Sequence, residues 1–212
     1  MVATDSKEAL QAIKQTILTC VGIQRDAHGR PIVEHKNGRQ VYATKKPEKY
    51  DGHCAISVET GINAGLKPLG KHVDIANANN VAPELVKAGF QAVGKGTDKN
   101  FKPVEGDVMV IDPCKGSVTR EKAGHKVTEE VDHKSGHVAY YTGDPPSGKG
   151  WVSDAIQGKD QYPLVGVSEK TQAAKTTIYR HPELAAQAAS QTQQYAATTT
   201  KASPIATAPG MG

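Results

Sequence analysis

No two cysteines in this chain stand in a CxxC spacing. The three present, Cys20, Cys54 and Cys114, are an odd number, so neither a disulfide framework nor a zinc knuckle is indicated and at least one thiol is expected to be free. No stretch approaches the roughly eighteen apolar residues of a membrane span. The opening Met1-Val2-Ala3-Thr4-Asp5-Ser6-Lys7-Glu8 carries acidic residues and no apolar h-region, which predicts synthesis in the cytoplasm without a classical signal peptide. Dense Lys/Arg runs are also missing. A net charge of +4 with a pI of about 8.8 gives a mildly basic surface that does not mark a nucleic-acid groove and suits another acidic polymer, such as a cell wall, equally well. Aromatic residues make up only 5% of the 212 residues, but 37% are hydrophobic, enough for one compact domain rather than two. Gly94-Lys95-Gly96-Thr97 and Gly148-Lys149-Gly150 lack a full phosphate-loop pattern and read as turns.

Leu10, Ile13, Ile17 and Val21 recur at helical spacing and predict a first amphipathic helix over 5–21, with Cys20 as a core residue near its end. Residues 24–50 are polar, with a short strand-like Arg39–Ala43. A second helix is predicted from Asp51, its cap, with Cys54 in the first turn, Val58, Ile62 and Leu66 following at intervals of four, and Gly65 and Pro68 ending it. Ala82–Ala88 predicts a third helix, and Phe90–Val93 a short extended piece. Glu105–Pro113 reads as a Gly-led buried strand closed by Pro113. Residues 114–135 are charged and form either a long hairpin or a flexible loop. Val138–Thr142, a turn at Gly143–Gly150, and Trp151–Asp154 complete a meander, with a last strand at Thr176–Arg180. A helical start followed by antiparallel strands is an α+β plan. The expected organisation is one domain over 1–180 and an Ala/Thr/Gln-rich tail over 181–212, helical near Leu184–Ala197 and disordered over its last dozen residues.

The chemistry points to Cys54. A thiol at a helix N-terminus meets free backbone N–H groups and the positive end of the dipole, which predicts a lowered pKa. A histidine within reach would complete the activation, and His137 alone among the eight histidines leads a clear strand. Taking Thr142 and Trp151 as the first cross-strand pair brings Ala139 opposite Asp154 and His137 opposite Ile156. Asp154 then shares a face with His137, one diagonal step away, where a carboxylate can orient the imidazole. A slip of one residue would present Ser153 instead, and Gln157 is a further possibility. The bland alternative is that Cys54 is a small buried apolar side chain in a non-catalytic binding protein. A competing zinc constellation would draw on His125, His133 and His137 with Asp132 and Cys114, although their spacing does not share a face.

With these residues in place, the chain resembles the papain-like cysteine amidases of the NlpC/P60 and CHAP superfamily. Gly52-His53-Cys54-Ala55 resembles the family's helix opening. Gly89-Phe90, Gly106-Asp107-Val108-Met109-Val110, and Gly136-His137-Val138-Ala139-Tyr140-Tyr141-Thr142-Gly143 match its sheet, and Trp151–Gln157 its following strand, over residues 48–160. Two features depart from the pattern: His-Cys-Ala-Ile replaces the usual Asp-Cys-Ser-Gly, and the excursion at 114–135 is long. The resemblance implies an N-terminal helical layer packed on an antiparallel sheet. It also implies a hydrolase cleaving amide bonds of peptidoglycan stem peptides through Cys54, His137 and Asp154, with no cofactor and no metal. It is similar to type VI secretion amidase effectors and to phage lysins. A protein of that kind is secreted or injected to act in the target cell's periplasm, with a cognate immunity protein or a secretion-apparatus component as partner. A toxin acting on a host protein, by proteolysis or deamidation, would use the same thiol chemistry.

Overall fold

A computed structural model describes residues 2–28, 30–36, 39–45, 53–75, 78–143, 150–156 and 162–185. Helix α1 (Val2–Cys20) buries Leu10, Ile13 and Ile17 along one stripe, as their three- and four-residue spacing dictates. That stripe meets helix α2 (Cys54–Leu66). The two helices come close because Gly61 and Gly65 lack side chains. A Cβ on Gly65 would lie 2.6 Å from the Ala9 carbonyl oxygen, and one on Gly61 2.7 Å from Ile17 Cδ1. Gly65 therefore makes the packing contact instead of ending the helix. The chain runs on through a 3₁₀ turn at Lys67–Leu69 and stops at Gly70, whose φ of +65° is left-handed. Helix α3 (Val81–Lys87) adds Val81 and Leu85 to the same core.

A small hairpin, β1 (Val33–Lys36) and β2 (Arg39–Tyr42), separates α1 from α2. The other strands are β3 (Gln91–Lys95), β4 (Val108–Ile111), β5 (Cys114–Lys122), β6 (His125–His133), β7 (His137–Tyr141), β8 (Trp151–Val152) and β9 (Thr176–Arg180). Helix α4 (Glu169–Ala174) precedes the last of them. Five form an antiparallel sheet in the order β3-β9-β4-β7-β8, while β5 and β6 pair only with each other. The architecture is α+β, helices on an antiparallel sheet, as the sequence predicts at that level. Both sheet faces are covered. Val108, Val110, Val138 and Tyr140 pack with the helices, and Met109, Ile111, Ala139, Ile178 and Trp151 pack with Leu164 and Val167 on the other side. This double burial is why β4 reads as an unbroken apolar run. Fully buried Asp107, just before β4, accepts from Val104 N–H (2.9 Å) and from Nε and Nη2 of Arg180 (2.7 and 2.8 Å), tying β4 to β9 with a bidentate pair.

The charged segment after β4 is a hairpin, not a loop, and it continues the β4–β7 pair. Ile111 lies opposite His137 and Cys114 opposite His133, so two residues on one side face three on the other. The extra residue makes a bulge at Gly136, where φ is +66° and a Cβ would collide with the Ile111 carbonyl oxygen. At the far end Ala123 (φ 49°) and Gly124 (φ 79°) form the two-residue reverse turn that suits strand twist. At the C-terminal end, residues 182–185 are helical and Leu184 is buried in the helical core. The remainder of the expected tail, 186–212, lies outside the described residues.

Candidate functional site

Cys54 is the first residue of α2 and is half-buried, and none of the three cysteines is in a disulfide. Its helix start carries no side-chain cap at His53 and no acidic residue in the first turn, while the expected cap Asp51 and its neighbour Gly52 lie outside the described residues. Backbone N–H groups thus remain to face the sulfur: those of Val138, Ala55 and Cys54 itself all favour its thiolate. They do not win. Burial pushes the Cys54 thiol up, and the charge of Asp154 pushes it further. The lowered pKa predicted from the helix terminus is therefore corrected, because desolvation of a thiolate packed against the core outweighs nearby N–H dipoles.

His137 is buried and opens β7. Burial drives its imidazole down to about 4; the nearby His133 lowers it as well, and Asp154 opposes both. Alternation along β7 groups His137 with Ala139, on the face away from α2, whereas Val138 faces the helices. The Val138 N–H that favours the Cys54 thiolate belongs to the residue next to His137 in β7. Asp154 is their common neighbour.

Asp154 reaches that place by a different route from the one expected. Tyr141 pairs with Trp151 and Tyr140 with Val152, one residue away from the predicted Thr142–Trp151 register. The strand then ends. Ser153 N–H donates to the Ala155 carbonyl (2.9 Å) and Val152 bridges Ile156, so residues 153–155 form a tight turn instead of continuing opposite His137. On this turn the carboxylate of half-buried Asp154 acts on both the imidazole and the thiol, while buried Ser153 donates its Oγ–H to Asp154 Oδ1 at 3.0 Å. Gln157 lies outside the described residues. The zinc alternative is separated in space. His125 adjoins the ribbon tip, opposite Lys122, and His133 stands at its base, opposite Cys114. The eight residue steps of β6 that separate them span roughly 26 Å. His133 Nε2–H also donates to the Val165 carbonyl (2.9 Å).

No family model, curated protein or solved structure matches this chain. What the site can do follows from its own charges. Asp154 raises both pKa values, so it favours an imidazolium at His137 and disfavours a thiolate at Cys54. Such a carboxylate helps little in a resting thiolate–imidazolium pair. It helps when the thiol proton moves to the ring while the new negative charge passes onward to an acceptor, which is general-base activation of a nucleophile. Sequence reasoning missed the Val138 N–H on the sulfur and the Ser153 donor on Asp154. The Ser-Asp pair after Trp151-Val152 is a local turn signal that pointed to the latter.

Proposed function

We propose that the chain is a cysteine-dependent peptidoglycan hydrolase, of the papain-like NlpC/P60 and CHAP kind, that cleaves amide bonds in cell-wall stem peptides. The observation that carries this reading is a helix-opening thiol beneath three backbone N–H groups, with one carboxylate acting on both it and a buried histidine. The Cys54 sulfur attacks the amide carbonyl as its proton passes to His137, and Asp154 stabilises the imidazolium. The N–H groups at the head of α2 receive the oxyanion. His137 then protonates the leaving amine, and water, deprotonated by the same ring, hydrolyses the thioester. A mildly basic surface suits an anionic wall polymer. The role is that of an antibacterial effector or lysin acting in the target periplasm.

Purified protein incubated with sacculi, followed by mass spectrometry of the released muropeptides, tests this directly. Wild type should release cleaved stem peptides, and Cys54→Ala or His137→Ala should reduce release at least about a thousandfold. Intact muropeptides from folded wild-type protein, or undiminished cleavage by Cys54→Ala, would overturn the reading.

A further inference from the structure

The geometry points to Ser153 as a positioning residue, its Oγ–H holding the Asp154 carboxylate in the orientation that the thiol hydrolase needs. This rests on the catalytic reading of Cys54, His137 and Asp154 given above. Ser153 is 1% exposed and its hydroxyl donates to Asp154 Oδ1 at 3.0 Å. A hydroxyl this deeply buried needs a partner, which commits it to the carboxylate. Asp154 itself stands on a turn beyond the end of β8, where no strand pairing fixes it, and the terminal torsion of an aspartate is broad. A donor anchored on one oxygen restricts that freedom. Ser153 is itself held by its backbone N–H on the Ala155 carbonyl (2.9 Å) and by the Val152–Ile156 bridge, so the chain of support runs from the sheet through the turn to the carboxylate. The hydroxyl touches neither the sulfur nor a reacting atom, so its effect must pass through Asp154.

A double-mutant cycle over Ser153→Ala and Asp154→Asn tests this, with two readouts: kcat and KM on sacculi, and the pH dependence of Cys54 alkylation by iodoacetamide, resolved by peptide mapping. Ser153→Ala should lower kcat about tenfold with KM unchanged, and should move the alkylation midpoint downward, in the direction of Asp154→Asn. Ser153→Thr, which keeps the hydroxyl, should restore both. In the Asp154→Asn background, Ser153→Ala should change neither. Equal losses in both backgrounds, or an unmoved alkylation profile in Ser153→Ala, would overturn the proposal. Circular dichroism monitors folding, and Ser153→Gly carries the same test if the alanine variant does not fold. Because alkylation needs no substrate, a wild type inert on sacculi removes the hydrolase reading, while the alkylation cycle still decides whether Ser153 acts through Asp154.

Discussion

Acidifying the protein charges His137 only at a cost to the fold. In the unfolded chain the ring titrates at 6.5, and in the native state burial brings it down to about 4. A base whose pKa is depressed by folding binds protons more readily when unfolded. Its neutral form is therefore fully accommodated above pH 6.5, and stability falls as the pH drops from 6.5 toward 4. Each pKa unit corresponds to about 1.4 kcal/mol, so the full effect is about 3 kcal/mol, of which about 2 kcal/mol is lost between about pH 7.5 and about pH 5. His181, also lowered by burial and by Lys71, contributes in the same direction. The difference between wild type and His137→Asn, not the absolute slope, therefore isolates the group. Urea unfolding followed by far-UV circular dichroism at the two pH values gives both stabilities. Wild type should lose about 2 kcal/mol more than the variant. Equal losses would refute the reasoning, as would an NMR titration placing the His137 ring near 6.5.

Asp154→Asn should separate thiol acidity from catalysis. Without the carboxylate the Cys54 thiol ionises more easily and alkylates faster near pH 8, yet turnover on sacculi should fall by about 10² to 10⁴ because the imidazolium loses its support. Slower alkylation would contradict the direction assigned to Asp154. Gly65→Ala should destabilise the fold by about 1–3 kcal/mol, since its new Cβ meets the Ala9 backbone as well as the buried Ile13 side chain, and the backbone cannot swing aside. A lower urea midpoint at an unchanged m-value would show this, and an unchanged midpoint would contradict it.

What could be read in the sequence was what depends on patterns within a few residues. The apolar run of β4, the Thr176–Arg180 strand, the helical stripe of α1 and a helix with Cys54 in its first turn each carry their own periodicity or punctuation. Asp154 was expected from a Thr142–Trp151 register that the structure does not have; its carboxylate acts on both Cys54 and His137 from the turn after β8 instead. Two matters were set by tertiary context. The β7–β8 register differs by one from the expected pairing because the connection between Thr142 and Trp151 is too long for its length to fix a register, and a two-residue strand has almost no ladder of its own. The direction of the Cys54 shift depends on how deeply the helix start is packed, which no local motif encodes. Gly65 shows the same limit: a glycine late in a helix marks either a stop or a close neighbour, and only the opposing Ala9 and Ile13 tell which.

The continuity of the β5–β6 ribbon with β4 and β7 bears on how the site is assembled during folding. Every pairing from the Ala123-Gly124 turn down to Ile111 and His137 joins residues close along the chain, so the hairpin can zip from its tip on the microsecond scale, before low-probability distant closures such as β3 with β9. The exposed ribbon adds little buried surface, but its register runs on, through the one-residue bulge at Gly136, into the alignment of β4 against β7. The alignment of His137 is thus coupled to the register of the ribbon. Shortening both arms equally preserves that register. Removing one residue from a single arm shifts the histidine itself.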